Sequence, residues 1–302
     1  MIEFWKAGGS ESTTSSTSAQ QVEAEGWDGQ MFMDSQSLSC DPYVMMGAWA
    51  ATTEKLKLCT GVTNTLTRHP AVTAACAASV QAISGGRAIL GIGRGDSALA
   101  FLGYAPDKLR HFETTLQTLQ SLLNGDEVNF SGHQTLGDAT TIDSLPLGDH
   151  PPATQLKWLQ SDLPKVPMDV AATGPKVIEM SAPIAERVTF SVGAIPERVK
   201  WAVNIANRAR VERRVTSHCS YGGQIIVVCH PDKNTVMEAA TSFVAPLARF
   251  QVIQGKAFGP ATDDDRKNFS ALLSYDMNKH GKPIDKDQMR FVTVAHQIGL
   301  VT

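Results

Sequence analysis

The stretch from Arg87 to Ser97 reads Arg-Ala-Ile-Leu-Gly-Ile-Gly-Arg-Gly-Asp-Ser, and its placement in the chain decides the fold. Residues 88–92 form a short apolar run with two β-branched side chains, Ile89 and Ile92, which predicts a buried strand. The run opens directly into Gly93, Arg94, Gly95 and Asp96. Glycines at 91, 93 and 95 let backbone approach backbone, or a flat ligand, with no Cβ in the way. A buried strand that opens into a charged, glycine-rich turn is how α/β enzymes present a site at the C-terminal end of a sheet. The alternative is a tight strand–helix turn carrying a surface Arg94–Asp96 pair.

Upstream of this stretch, three more strands are predicted. Residues 2–7 form the first, followed by Gly8, Gly9 and a Ser/Thr-rich βα loop at 10–18. A helix over 19–25 leads to a second strand at 29–33, which closes on Asp34, Ser35 and Gln36. Asp41-Pro42 is a strong helix start, with Asp as N-cap and Pro in the first turn, and that helix runs to about Thr53. A third strand at 56–62 leads into the polar loop from Thr63 to His69. Pro70 then opens an Ala-rich helix to Ile83, stopped by Ser84-Gly85-Gly86. The 88–92 strand is therefore the fourth.

Downstream, residues 106–123 predict a long helix with Leu109, Phe112, Leu116, Leu119 and Leu123 on one stripe, capped at Asn124-Gly125. Periodicity is lost over 126–165, an irregular insertion. Strand–helix alternation then resumes. A fifth strand at 166–172 ends in Thr173-Gly174-Pro175-Lys176 and a helix to about Ala185. A sixth strand at 187–192 precedes a helix at 196–213. A seventh is expected at 224–229, with Asp232 capping a helix to Phe250. Seven alternations with short connections argue for a parallel sheet wound with helices. A doubly wound open sheet and a (β/α)8 barrel compete. The barrel is favoured because the polar, turn-rich segments fall consistently after strands. No obvious eighth strand is visible.

Composition narrows the function classes. The 302 residues are 42% hydrophobic and 19% charged, as in an ordinary globular chain. A net charge of −3 gives no sign of a nucleic-acid or anionic-membrane partner. No apolar run approaches the ~20 residues of a membrane span. The start of the chain lacks the basic-then-apolar layout of a signal peptide. Cys40, Cys59, Cys76, Cys219 and Cys229 form no Cys-x-x-Cys pair and mostly sit in apolar runs, so buried free thiols in a cytoplasmic protein are expected. The eight histidines show no ligand spacing, which argues against a metal site.

Gly91-Ile-Gly-Arg-Gly departs from Gly-x-Gly-x-x-Gly and follows the fourth strand rather than the first, which disfavours a nicotinamide dinucleotide site. Thr173-Gly174-Pro175-Lys176 turns from a strand into a helix start, where N–H groups and the positive helix end suit a phosphate; an ordinary turn with a solvated Lys176 is the alternative. Asp34, Asn64, Arg68, His69, Arg94 and Asp96 all fall at expected C-terminal strand ends, where they would form a polar mouth. No Gly-x-Ser-x-Gly elbow is present. A site with phosphate affinity, glycine-lined walls and no obvious nucleophile suggests a bound cofactor.

Three blocks in order, residues 60–70, 84–96 and 170–176, resemble the bacterial-luciferase-like superfamily of flavin-dependent oxidoreductases, leaning toward its deazaflavin-dependent methylenetetrahydromethanopterin reductase branch. The resemblance covers about residues 1–250. It implies one TIM-barrel domain over 1–302, with the insertion at 126–165, and an oxidoreductase or monooxygenase acting on a small-molecule substrate. The cofactor would be coenzyme F420, a deazaflavin, or FMN with a separate flavin reductase. Gly61-Val62 matches a non-proline cis peptide under the flavin-type ring, and Thr63 and Asn64 follow it. Gly93, Arg94, Gly95 and Asp96 would lie beside the ring or its side chain, and Thr173, Gly174, Pro175 and Lys176 match the phosphate turn. Asp34 is the expected proton-handling residue, with His69 second. A non-catalytic ligand-binding protein of the same fold is the other reading. Relatives usually continue into a further turn, helix and barrel closure, so the last β/α unit is expected to be missing or atypical. The resemblance also implies a homodimer formed through helices 41–53 and 70–83; exposed Met45, Met46 and Trp49 with the Ala-rich second helix fit such an interface, and packing against the barrel is the alternative.

Overall fold

The computed structural model describes residues 2–8, 10–12, 15–130, 139–227, 229–232, 234–236, 249–252, 258–263, 266 and 272–280. The chain divides into two compact units, 1–168 and 169–302.

The first unit runs β1 (Trp5–Ala7), α1 (Ser16–Ala24), β2 (Gly29–Phe32), α2 (Pro42–Ala50), β3 (Lys57–Thr60), β4 (Thr63–Asn64), α3 (Pro70–Ser84), β5 (Ala88–Gly93), α4 (Ser97–Ala100) and α5 (Leu109–Asn124). Strands β1, β2, β3 and β5 pair in parallel in that order, with Trp5 opposite Gly29, Gln30 opposite Leu58, and Leu58 opposite Ala88. All six residues of β5 are buried, as its unbroken apolar run requires. Phe32, Leu58, Leu90 and Ile92 of the strands and Phe112, Leu116 and Leu119 of the α5 stripe are all fully buried. The expected third strand is broken. It stops at Thr60, the Gly61–Val62 peptide is cis, and Thr63 and Asn64 then pair with Ile92 and Gly93 of β5.

Gly91 decides how β3 meets β5. A Cβ there would lie 1.9 Å from the Thr60 carbonyl oxygen and 2.8 Å from Cys59 Sγ. The space goes instead to a hydrogen bond from Thr60 Oγ1 to the Gly91 carbonyl, 2.6 Å long. Helix ends follow the sequence signals. Asp41 Oδ1 accepts from the N–H groups of Tyr43 and Val44, and Gly85 (φ +63°) and Gly125 (φ +83°) terminate α3 and α5 in the left-handed region. Arg87 closes the carbonyl ends of α2 and α3. Its guanidinium donates to the carbonyls of Ala50, Thr53, Leu56 and Ser84. Glu23 receives the backbone N–H groups of Glu54, Lys55 and Leu56.

The second unit runs β8 (Met168–Ala172), α6 (Pro175–Ser181), β9 (Arg187–Phe190), α7 (Pro196–Glu212) and β10 (Ser220–Gly223), with β8, β9 and β10 parallel. The irregular insertion belongs to the first unit. It contains an antiparallel pair, β6 (Val128–Asn129) with β7 (Ala153–Thr154), and residues 131–138 within it lie outside the described residues.

Three expectations are corrected. The seventh strand lies at Ser220–Gly223, not at 224–229. Two glycines hide it from propensity, but pairing with β9 selects it: Tyr221 packs on Phe190, and a Cβ on Gly222 would crowd Thr189 Oγ1 at 3.2 Å. Ile225 and Val227, the apolar signal of the expected strand, are exposed. Met46 and Trp49 are buried rather than offered to a partner; Trp49 meets Phe32 edge-on at 5.1 Å. Only Cys59 is a buried thiol; Cys40, Cys76 and Cys219 are half-buried and Cys229 is exposed. Asp232 does cap a turn, accepting from the Thr235 N–H, but residues 237–248 of the helix expected after it lie outside the described residues. So do residues 281–302, where a last β/α unit was expected to be missing or atypical.

These contacts set measurable stabilities. Gly91→Ala should cost about 3 kcal/mol or abolish folding, because backbone cannot yield to the new methyl. Gly47→Ala, in α2 with open space around it, should gain about 0.5–1 kcal/mol. Urea denaturation checks both. Burial opposes the Glu23 charge, but the three N–H donors prevail and hold its carboxyl below the ordinary range. Its contribution, about 1 kcal/mol at this half-exposed site, is therefore complete above that range and lost as pH falls through the folded value. The stability gap between wild type and Glu23→Gln should shrink between about pH 7 and about pH 3.

Candidate functional site

The C-terminal ends of β2, β4 and β5 gather the polar residues of the first unit. Asp34 lies two residues beyond β2 and is buried. Its carboxylate accepts from Arg68 Nη1 at 2.5 Å, Arg68 Nη2 at 3.3 Å and Thr63 Oγ1 at 2.6 Å. Arg68 Nη2 also reaches Asp41 Oδ2 at 2.6 Å, so Asp41 caps α2 with one oxygen and holds Arg68 with the other. The guanidinium sits 5.3 Å from the centroid of the Tyr43 ring. Burial works against the Arg68 charge, yet the hydrogen bonds and charge of Asp34, with Asp41 behind them, raise its pKa above the ordinary value. Burial also pushes the Tyr43 hydroxyl up, and the Asp34 charge adds to it. Tyr43 stays protonated at any ordinary pH.

Asn64 begins the adjoining loop. Its Oδ1 accepts from the N–H groups of Leu66 and Thr67, both at 3.0 Å, which shapes the polar turn after β4. The side chain is 2% exposed, and its Nδ2 has no hydrogen-bond partner. Across from it, Gly93 is the β5 partner of Asn64, and Gly95 has φ +85°. A Cβ on Gly95 would lie 2.4 Å from Leu99 Cδ1 and 3.2 Å from Asn64 Cβ. This turn needs glycine both for its conformation and for its contacts.

Most of the expected site residues lie along this rim. Asp34, Gly61, Val62, Thr63, Asn64, Gly93, Arg94, Gly95 and Asp96 all belong to the first unit's strand ends. Two of the expected site residues also make structural contacts. His69 Nδ1 accepts from the Ala71 N–H at 3.2 Å, so His69 is the N-cap of α3. Arg94 Nε donates to the carbonyl of Asp107, a residue outside the sequence motifs, at 2.6 Å. Asp107 could have been found from its i, i+4 spacing with His111 at the start of an amphipathic helix. In the second unit, Gly174 is the extended N-cap of α6, Pro175 is its first residue, Lys176 is exposed, and the N–H groups of Val177 and Ile178 return to the Gly174 carbonyl. A Cβ on Gly174 would be 3.7 Å from the Phe258 ring.

Residues 8–299 match the family model for luciferase-like monooxygenases, and the chain belongs to that family. It is 30% identical over 175 residues to the 5,10-methylenetetrahydromethanopterin reductase of Methanolobus tindarius, covering 57% of this chain and 48% of that protein. It is 28% identical over 212 residues to the F420-dependent glucose-6-phosphate dehydrogenase of Microbacterium testaceum, covering 67% and 58%. The chain thus matches about half the length of these curated relatives. The solved coenzyme F420-dependent tetrahydromethanopterin reductase of Methanopyrus kandleri superposes with a TM-score of 0.63 at 17% identity, over 99% of this chain and 92% of that one. That likeness shows the fold, the luciferase-like (β/α)8 type expected from the sequence. Among the described residues, no helix is long and apolar enough to cross a membrane.

Arg68→Met leaves the buried Asp34 carboxylate without its counter-ion and should cost about 3 kcal/mol. Adding Asp34→Asn should return part of that loss. A double-mutant cycle in urea measures the coupling.

Proposed function

We propose that this chain is an oxidoreductase that uses a flavin-type cofactor, coenzyme F420 ahead of FMN, on a small organic substrate. The observation that carries the reading is the buried, unpartnered Nδ2 of Asn64, set between the Gly61–Val62 cis peptide and the Gly93–Gly95 turn. A buried donor left without an acceptor costs about 1–3 kcal/mol, and a flat ring edged with carbonyl and ring-nitrogen acceptors offers what the protein leaves unmet. The donor set therefore fits a flavin-type ring. Relatives named as F420-dependent support F420 over FMN.

In this reading Gly61, Val62, Thr63 and Asn64 form one wall, and Gly93, Arg94, Gly95 and Asp96 form the other. When bound, the deazaflavin supplies hydride transfer at ring carbon 5, whereas reduced FMN would activate oxygen and draw on a separate flavin reductase. Asp34, already accepting from Arg68 and Thr63, is a fixed acceptor that orients a donor group or takes a proton beside the ring. His69 stands second for that task, with Nδ1 spent on the α3 cap and its proton placed on Nε2 in the neutral form. Thr173, Gly174, Pro175 and Lys176 are assigned an anionic group such as a phosphate, with the positive end of α6 and the Lys176 ammonium as the attracting charges. We assign the enzyme to the cytoplasm and to a homodimer. Val44 on α2 and Val72 on α3, both more than half exposed, support pairing of two copies through those helices.

The test is titration of the purified protein with oxidised F420 and with FMN, followed by fluorescence. F420 should bind below about 100 μM; if neither cofactor does, the reading falls. Reduction of the bound cofactor under oxygen then separates hydride transfer from monooxygenation. Gly174→Leu should weaken the cofactor that binds by about tenfold, and unchanged affinity would remove the phosphate assignment.

A further inference from the structure

We infer that Asp107 is a positioning residue that sets the spacing of the two walls assigned above to the cofactor ring, a role resting on that cofactor reading. Asp107 is 5% exposed and lies between α4 and α5. Its Oδ2 accepts from the Thr65 hydroxyl and from His111 Nδ1, the latter at 2.7 Å. Its backbone is tied as tightly. The Asp107 N–H donates to the Arg94 carbonyl at 2.8 Å, and the Asp107 carbonyl accepts from Arg94 Nε at 2.6 Å. One residue thus holds the loop after β4 by its side chain and the glycine-rich turn after β5 by its main chain.

The two held residues are next to the ones that matter. Thr65 follows Asn64, whose amide is unpartnered, and Arg94 stands between Gly93 and Gly95. The two segments pair through Thr63 with Ile92 and Asn64 with Gly93, and Asn64 packs against Gly95. A pairing only two residues long leaves the loop beyond it to be held by other contacts. A second tie through Asp107 fixes the angle as well as the distance. Lys108, not Asp107, is the N-cap of α5, and it makes no side-chain cap bond. His111 is one helical turn further on, so its imidazole orients the carboxylate from the rigid α5. Arg94 from the turn and His111 from α5 both engage Asp107 directly.

The experiment uses the full chain with Asp107→Ala, Asp107→Asn and Thr65→Val. Amide exchange read by mass spectrometry on cofactor-free protein should speed up by about fivefold over 63–68 and 92–97 in Asp107→Ala and Thr65→Val, with 168–212 unchanged. No change, or an equal rise everywhere, would overturn the inference. F420 titration should show affinity about tenfold weaker for Asp107→Ala. Asp107→Asn, which keeps an acceptor for Thr65, should recover most of it. Equal affinity of Asp107→Ala and wild type also overturns the inference. Should Asp107→Ala fail to fold, Thr65→Val carries both measurements. Failure of wild type itself to bind F420 would instead remove the cofactor reading, and the exchange measurement would still decide whether Asp107 ties the two segments.

Discussion

The approach of β3 to β5 at Thr60 and Gly91 governs the first unit. There is no room for a side chain at 91, because the Thr60 carbonyl already occupies it. Once the strands meet that closely, Thr60 Oγ1 can bond the Gly91 carbonyl, and the chain beyond Thr60 must turn away. It does so through the cis peptide at Gly61–Val62, then returns as β4 against the last residues of β5. The loop carrying Thr63, Asn64, Thr65 and Arg68 is placed by that sequence of constraints. So is every polar contact these residues make with Asp34 and Asp107.

Charge is buried on this rim only where it is matched. Asp34 has an arginine and a hydroxyl, and Arg68 has two carboxylates and an aromatic face. Asp107 has two side-chain donors and engages Arg94 through its main chain. The Asn64 amide, the Tyr43 hydroxyl and the Thr67 hydroxyl are buried here without a hydrogen-bond partner, in a place where most buried polar groups are paired. The Asn64 donor, close to the Gly61–Val62 cis peptide and paired across to Gly93, is the unmet group on which the functional reading rests.

Much of this was legible in the chain alone. Asp41-Pro42, Pro70, Gly85 and Gly125 mark helix ends, because caps and left-handed residues are local requirements that few residue types meet. The α5 stripe and the apolar run of β5 mark buried faces for the same reason. The strand at 220–223 was not legible. Ser-Tyr-Gly-Gly has little propensity to extend, and it is a strand because Arg187–Phe190 lies beside it and Gly222 lets Thr189 come close. For Met46 and Trp49 the chain alone left interface and barrel packing open, and the fold chose the second: both are buried, with Trp49 against Phe32.

The site divides along the same line. Sequence by itself determined the residue types at the strand ends, the glycines of the 91–95 turn, the position of the cis peptide through its family motif, and the family. All of these are properties of a short stretch or of several stretches in fixed order. Tertiary structure alone decided that Arg68 serves both Asp34 and Asp41, and that Arg94 Nε reaches the Asp107 carbonyl. Those partners lie 13 to 34 residues apart along the chain. Hydrogen bonds act over a few ångströms, so partners that far apart are chosen by the fold, not by the local sequence.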